Sequence, residues 1–165
     1  MESLHKLEDM VGEWLKPLPH LPENWRKWLA ENAWWLTLIG VVLSVFAVFA
    51  LFASLSLFTA TTGLYGQVIN DAIAQTHGGL WMTSVWISLA LMVVTVVIEA
   101  LAISPLKAMS KKGWDLMFLA LVIGIVSNVV SAVLNVEVMS LVGAAISAVI
   151  GSYVLFELRS HFKKA

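Results

Sequence analysis

Four long runs of apolar residues constrain this chain of 165 residues more than any other feature of its sequence. They cover residues 34–58, 80–103, 115–134 and 139–157. A helix of about 20 apolar residues crosses the core of a bilayer, and a helix also satisfies its own backbone hydrogen bonds inside lipid. Only 13% of the residues are charged, whereas about 25% is usual in soluble domains. The sequence therefore predicts an all-α integral membrane protein, a bundle of four transmembrane helices in a lipid bilayer.

The lysines and arginines predict how this bundle is oriented. All ten fall before the first run, between the second and third runs, or after the fourth run, which a four-span arrangement places on one side: Lys6, Lys16, Arg26, Lys27, Lys107, Lys111, Lys112, Arg159, Lys163 and Lys164. Basic residues concentrate on the cytoplasmic side of membrane proteins. We therefore expect a multi-pass protein of the cell membrane (inner or plasma membrane) with both termini in the cytoplasm.

The remaining segments are short. Residues 1–33 read as an amphipathic helix, a proline-rich turn and a tryptophan-rich interfacial segment. Residues 34–158 form the membrane domain, and residues 159–165 form a basic cytoplasmic tail. Apolar residues at helical spacing over 64–73 predict a second, short amphipathic helix on the outer side, bounded by glycines.

Tryptophans flank the apolar runs on the basic side. Because tryptophan prefers the headgroup level of a bilayer, we expect five of them to act as interfacial anchors: Trp25, Trp28, Trp34, Trp35 and Trp114.

Polar residues inside the runs are the candidate functional groups, because hydrocarbon leaves them unsatisfied. The third run carries Ser127, Asn128, Ser131 and Asn135. One interpretation is hydrogen bonding between helices, and the other is the polar lining of a path for a solute.

Three carboxylates form a second group of candidates. Glu99 lies about one helical turn inside the end of the second run, while Asp115 opens the third run and Glu157 closes the fourth. All three would lie on the basic side. They predict either ordinary interfacial ion pairs or a site for a cation or a proton.

Rows of small residues predict close helix packing, without indicating whether the partner helix belongs to the same chain. They comprise Gly143, Ser147 and Gly151 on the fourth run, Gly40 and Ser44 on the first, and Gly124 on the third.

The sequence gives no indication of catalysis or of a cofactor. It has no cysteine, its four histidines lack metal-ligand spacing, and it contains no nucleotide or nucleophile motif. A net charge of −1 argues against a nucleic-acid partner. Our first hypothesis is a non-enzymatic membrane protein, either a homo-oligomer or an accessory or structural subunit of a membrane partner. The alternative is a channel or transporter for a small solute or ion, formed by an oligomer, with Asn128 and Glu99 on the path.

Overall fold

The computed structural model describes the backbone of residues 2–77, 81–135 and 138–162, and the side chains of 6–58, 60, 83–133 and 141–162. Within these residues the chain is all-helical, with five α-helices and a final short 3-10 helix at Arg159–His161. The α-helices are α1 (Glu2–Leu15), α2 (Glu23–His77), α3 (Trp81–Lys107), α4 (Lys111–Asn135) and α5 (Val138–Leu158).

Four helices are long and apolar enough to cross a membrane, which indicates a multi-pass membrane protein. The four stretches are Glu23–Phe58, Thr83–Lys107, Lys111–Val133 and Leu141–His161. This finding confirms the prediction of an all-helical fold with four membrane-length helices.

The proline-rich turn separates α1 from α2 as its sequence predicts. The prolines at 17, 19 and 22 cannot donate a backbone hydrogen bond, so they interrupt the helix. α1 therefore ends at Leu15, and α2 begins directly after Pro22. The carbonyl of Pro22 accepts hydrogen bonds from the backbone N–H groups of Trp25 and Arg26 at 2.9 and 3.1 Å, which closes the first turn of α2.

α2 differs from the sequence prediction, because it is one continuous helix of 55 residues. Residues 64–73 are helical, as predicted, but they prolong α2 and do not form a separate helix. Gly63 lies within the helix, and an internal glycine costs only about 1 kcal/mol. The sequence has no proline between Pro22 and Pro105 that would stop the helix.

The connection between α3 and α4 is a tight turn of three residues. Met109 adopts a left-handed backbone conformation with φ of 53°, and the N–H of Ser110 donates to the carbonyl of Pro105 at 3.0 Å. The hydroxyl of Ser110 then accepts a hydrogen bond from the N–H of Lys112 at 3.2 Å, as a helix N-cap does. α4 consequently begins at Lys111, one turn before the Asp115 predicted from hydropathy.

Gly113 allows α4 to approach the end of α3. A Cβ atom at this position would lie 2.6 Å from the backbone nitrogen of Leu106 and 2.8 Å from the carbonyl carbon of Pro105. Both atoms belong to the backbone, so a rotamer change would not relieve the overlap. Only glycine fits this contact.

The turn and the helix order bring the basic residues together. α3 packs against α2 and α4, and α4 also packs against α5, whereas α2 and α5 touch each other over a short stretch only. The start of α2, the α3–α4 turn and the end of α5 therefore lie together at what we call the basic end. The main hydrophobic core lies there too, around Ala30, Ala102, Leu106, Trp114, Phe118, Leu158 and Phe162.

We predict that Gly113→Ala lowers the thermal stability of the purified protein in detergent, because the added methyl group overlaps the backbone of α3. Overpacking of this kind costs about 1–3 kcal/mol. The matched control is Gly143→Ala, where a Cβ would meet nothing within 4 Å. Equal melting temperatures for the two variants, measured by scanning fluorimetry, would contradict this explanation of Gly113.

Candidate functional site

A large cavity lies between the four membrane-length helices. It has a volume of about 560 Å³, and we call it the main cavity. Most of its wall is aliphatic. All four helices contribute to the wall, with Leu36 and Thr37 from α2, Thr95 and Glu99 from α3, Leu121 and Asn128 from α4, and Ala148 and Val154 from α5.

A second, smaller cavity of about 300 Å³ adjoins the first and is far more polar. Hydroxyl groups from three helices line it, so we call it the serine cavity. Its lining residues are Ser44, Ser88, Met92, Thr95, Val96, Glu99, Gly124, Ser127, Asn128 and Ser131.

The two cavities share four lining residues, which we call the junction: Thr95, Glu99, Gly124 and Asn128. The junction joins a mainly aliphatic space to a hydroxyl-rich space. Three of the predicted polar residues of α4 (Ser127, Asn128 and Ser131) thus line the same cavity as Glu99 of α3. The side chain of Asn135, the fourth, lies outside the described residues.

Glu99 is more deeply placed in the bundle than the sequence indicated. α3 continues to Lys107, so Glu99 lies about 12 Å along the helix axis from that end, two turns inside it instead of one. Its side chain is half-buried, and within the described part of the chain it has no hydrogen-bond or ion-pair partner. A carboxylate with no partner at such a depth is costly, and such groups commonly serve a function.

The polar side chains of Asn128 and Thr95 at the junction each donate one hydrogen bond to a backbone carbonyl of their own helix. The amide of Asn128 donates to the carbonyl of Gly124 at 2.9 Å, and the hydroxyl of Thr95 donates to the carbonyl of Leu91 at 2.9 Å. A carboxamide has a second N–H and an acceptor oxygen. Asn128 therefore keeps hydrogen-bonding capacity for water or a solute at the junction.

Glu157 has a different environment from Glu99, so the three predicted carboxylates do not form one site. Its side chain is only 7% exposed. It accepts a hydrogen bond from the backbone N–H of Leu21 at 3.1 Å, contacts Nδ1 of His20 at 2.6 Å, and forms an ion pair with Nε of Arg26 at 3.7 Å. Glu157 thus has the ion-pair role that was one of its two predicted interpretations.

Asp115 is the third predicted carboxylate, and it lies half-buried in the second turn of α4. Among the described residues, no group of three or more histidine or carboxylate side chains is placed to hold a metal ion. Asp115, Glu157 and Glu99 thus remain three separate groups.

Glu157 belongs to a wider contact that holds residues 2–22 against α5. The hydroxyl of Tyr153 donates to the carbonyl of Pro19, and Glu8 of α1 forms an ion pair with Arg159. Gly12 brings α1 close to α5, because a Cβ there would lie 3.3 Å from the Phe156 ring. These contacts hold the N-terminal segment against α5 at the basic end.

An aromatic cluster beneath this segment corrects one sequence prediction. Trp114 is 1% exposed, stacks on Phe118 at 5.4 Å between ring centroids, and meets Phe156 edge to face at 5.3 Å. Its indole N–H donates to the carbonyl of Leu155 at 2.7 Å. Trp114 is hence a buried core residue and not an interfacial anchor, because it has no surface to offer to headgroups.

The other four tryptophans keep accessible surface. Trp25, Trp28 and Trp35 are about half exposed or more, at 61%, 50% and 48%. Trp34 is half-buried, and the ammonium group of Lys107 lies 5.1 Å from its ring centroid. Their role as interfacial anchors stays a prediction.

Most glycines of the small-residue rows make no tight helix contact within the described part of the chain. Only Gly151 makes a tight helix contact, since a Cβ there would lie 2.9 Å from Cδ1 of Leu121. At Gly40, Gly124 and Gly143 an added Cβ would meet nothing within 4 Å. Ser44 and Ser147 line the cavities instead.

Sequence reasoning missed several residues that position these sites, among them His20, Arg26, Gly113 and Thr95. A partial signal for the N-terminal contact was available, because Tyr153 and Glu157 lie four residues apart and hence on one face of α5. The backbone contact at Gly113 has no comparable signal, since it depends on the tertiary approach of α3.

No known protein family, curated protein or solved structure matches this chain.

We predict that Glu157→Ala releases the N-terminal segment from α5, because the Leu21 amide, His20 and Arg26 lose their common acceptor. Hydrogen bonds to charged groups contribute about 1.5–3 kcal/mol, so exchange of the Leu21 amide proton should accelerate between about tenfold and a hundredfold. Hydrogen–deuterium exchange of the purified protein in detergent measures the exchange rate of this amide proton. Glu31→Ala is the control, since Glu31 has only an exposed pair with Lys27 at 4.0 Å. An unchanged Leu21 exchange rate in Glu157→Ala would show that Glu157 does not hold this segment.

Proposed function

We propose that this chain is a multi-pass protein of the cell membrane (inner or plasma membrane) with its basic end in the cytoplasm. The support is the distribution of charge along the four membrane-length helices. The eight described lysines and arginines belong to segments at one end of the bundle, and the other two, at positions 163 and 164, follow the last helix in the sequence. Positively charged loops stay on the cytoplasmic side, so both termini would be cytoplasmic.

We further propose that the protein is non-enzymatic and binds a small solute or ion inside the membrane, as a channel or transporter does. One observation carries this proposal: Glu99 and Asn128 both line the two adjoining cavities between the membrane-length helices. Ionisable groups within membrane spans commonly mark the pathways of substrates and ions. The two cavities provide space for a solute next to Glu99.

The polar side chains continue beyond Glu99 along the serine cavity, which favours a path over an isolated binding site. Ser127 and Ser131 lie on either side of Asn128 in α4, and Ser88 of α3 lines the same cavity. Hydroxyl and amide groups can replace part of the hydration shell of a solute or ion. A single bundle of four helices leaves room for a narrow path only, so an oligomer would be needed for a wider pore.

A second function is favoured by glycines beside which the described part of the chain leaves open space. Gly40 on α2 and Gly143 on α5 have open space where a side chain would extend. Small-residue faces let helices approach closely. These faces support an oligomer-forming or accessory subunit, whose partner is a second copy or another membrane protein. Recovery of the monomer alone after cross-linking in native membranes would argue against this assembly role.

The transport proposal predicts flux through the purified protein in liposomes. We would measure dye-reported flux of H⁺, Na⁺ and K⁺ in proteoliposomes that contain the wild type, Glu99→Gln, Asn128→Leu or the control Glu31→Gln. Loss of an interaction with a charged group costs about 1.5–3 kcal/mol. Glu99→Gln should therefore slow the flux by about tenfold to a hundredfold.

The control Glu31→Gln removes an exposed carboxylate that lines neither cavity and should leave the flux unchanged. Flux that is the same in the wild type, Glu99→Gln and Asn128→Leu would rule out a path through the junction.

A further inference from the structure

The wall of the main cavity indicates the chemistry of its ligand. Among the described residues that line it, Glu99 is the one charged residue, and the remaining surface is mostly aliphatic. A ligand that fills this space must therefore be largely apolar and, next to Glu99, positively charged. An anion would meet the negative carboxylate without a compensating cation on the wall.

The charge of the wall argues against a divalent inorganic cation in the main cavity. Divalent cations such as Ca²⁺ are bound mainly by several carboxylate and carbonyl oxygens. Among the described lining residues Glu99 is the one carboxylate, and the other side-chain oxygens are neutral and spread over four helices, on Thr37, Thr95, Asn128 and Ser147. A cation of low charge density needs one counter-charge and gains the rest of its affinity from apolar contact.

The size and position of the main cavity agree with an organic ligand. Its volume of about 560 Å³ lies within the range of about 300–1,000 Å³ that is typical of small-molecule sites. α2 and α5 contact each other over a short stretch only, so the cavity has a side between these two helices that faces the surroundings of the bundle. An amphipathic molecule dissolved in a bilayer would meet that side.

We propose that the main cavity binds a monovalent organic cation with a bulky apolar body, with Glu99 as its counter-charge. This inference rests on the proposed function as a solute-binding membrane protein, and it names the class of solute. The cationic centre lies at the junction beside Glu99. The apolar body lies against Leu121, Ala148 and Val154.

The test is direct binding of tetraphenylphosphonium to the purified full chain in detergent, measured by equilibrium dialysis. Tetraphenylborate has the same shape and the opposite charge, so it separates recognition of charge from recognition of apolar bulk. We expect the wild type to bind the phosphonium and not the borate. Glu99→Gln should weaken phosphonium binding at least tenfold, whereas Glu31→Gln should bind as the wild type does.

A matched pair on α5 tests the location of the site independently of Glu99. Ala148 lines the main cavity, and Ala145 is exposed outside it. We expect Ala148→Leu to weaken phosphonium binding at least tenfold because the larger side chain occupies the cavity. Ala145→Leu should leave binding unchanged. This pair also keeps the test decisive if Glu99→Gln fails to fold.

The outcomes separate this inference from the proposed transport. Absent phosphonium binding, or equal binding by wild type, Glu99→Gln and Ala148→Leu, would overturn the cation site. Equal binding of the borate and the phosphonium would overturn it as well. Flux of an inorganic ion that depends on Glu99, without phosphonium binding, would leave the transport proposal intact. Phosphonium binding that depends on Glu99, without any flux of the cation in proteoliposomes, would support the site and contradict transport.

Discussion

The buried indole of Trp114 connects the helices on which both cavities depend. Its N–H donates to the carbonyl of Leu155 on α5, while its ring stacks on Phe118 of its own helix and meets Phe156 edge to face. Around it, side chains from all four membrane-length helices form the core of the basic end. A buried donor needs a partner, and an aromatic pair adds about 0.5–1.5 kcal/mol beyond the area that it buries. The packing at this end fixes the spacing of the helices, and the main cavity lies between those same helices.

The contrast between two carboxylates explains why we propose the junction as the functional site. Glu157 is nearly buried, but it has a backbone N–H, an imidazole and a guanidinium within reach, so the cost of its desolvation is offset locally. Glu99 lies deeper along its helix and faces a mostly aliphatic wall. These contacts explain the buried position of Glu157 by a structural role. The position of Glu99 without a positively charged partner is unfavourable. We propose that a positively charged solute is that partner.

The sequence predicted the helices but not the contacts between them. Apolar run length placed the four membrane-length helices, and the prolines placed the boundary between α1 and α2, because both signals are local. The continuation of α2 through Gly63, the early start of α4 at Lys111 and the burial of Trp114 were not predicted. The last of these depends on contacts between helices that no local pattern encodes. Asn128 and Glu99 were singled out separately as polar groups in apolar runs, but only the fold brings them to one junction.

The proposed path for a solute runs along the serine cavity and requires water there, and single-cysteine accessibility tests this requirement most directly. The natural sequence has no cysteine, so each introduced thiol is the only one. Ser127→Cys lines the serine cavity, whereas the adjacent Val126→Cys lies at an exposed apolar position outside it. Reaction with a cationic methanethiosulfonate requires a thiolate, and hence water. The account predicts that in proteoliposomes Ser127→Cys reacts and Val126→Cys does not. Equal reactivity of the two cysteines, or none at Ser127→Cys, would contradict it.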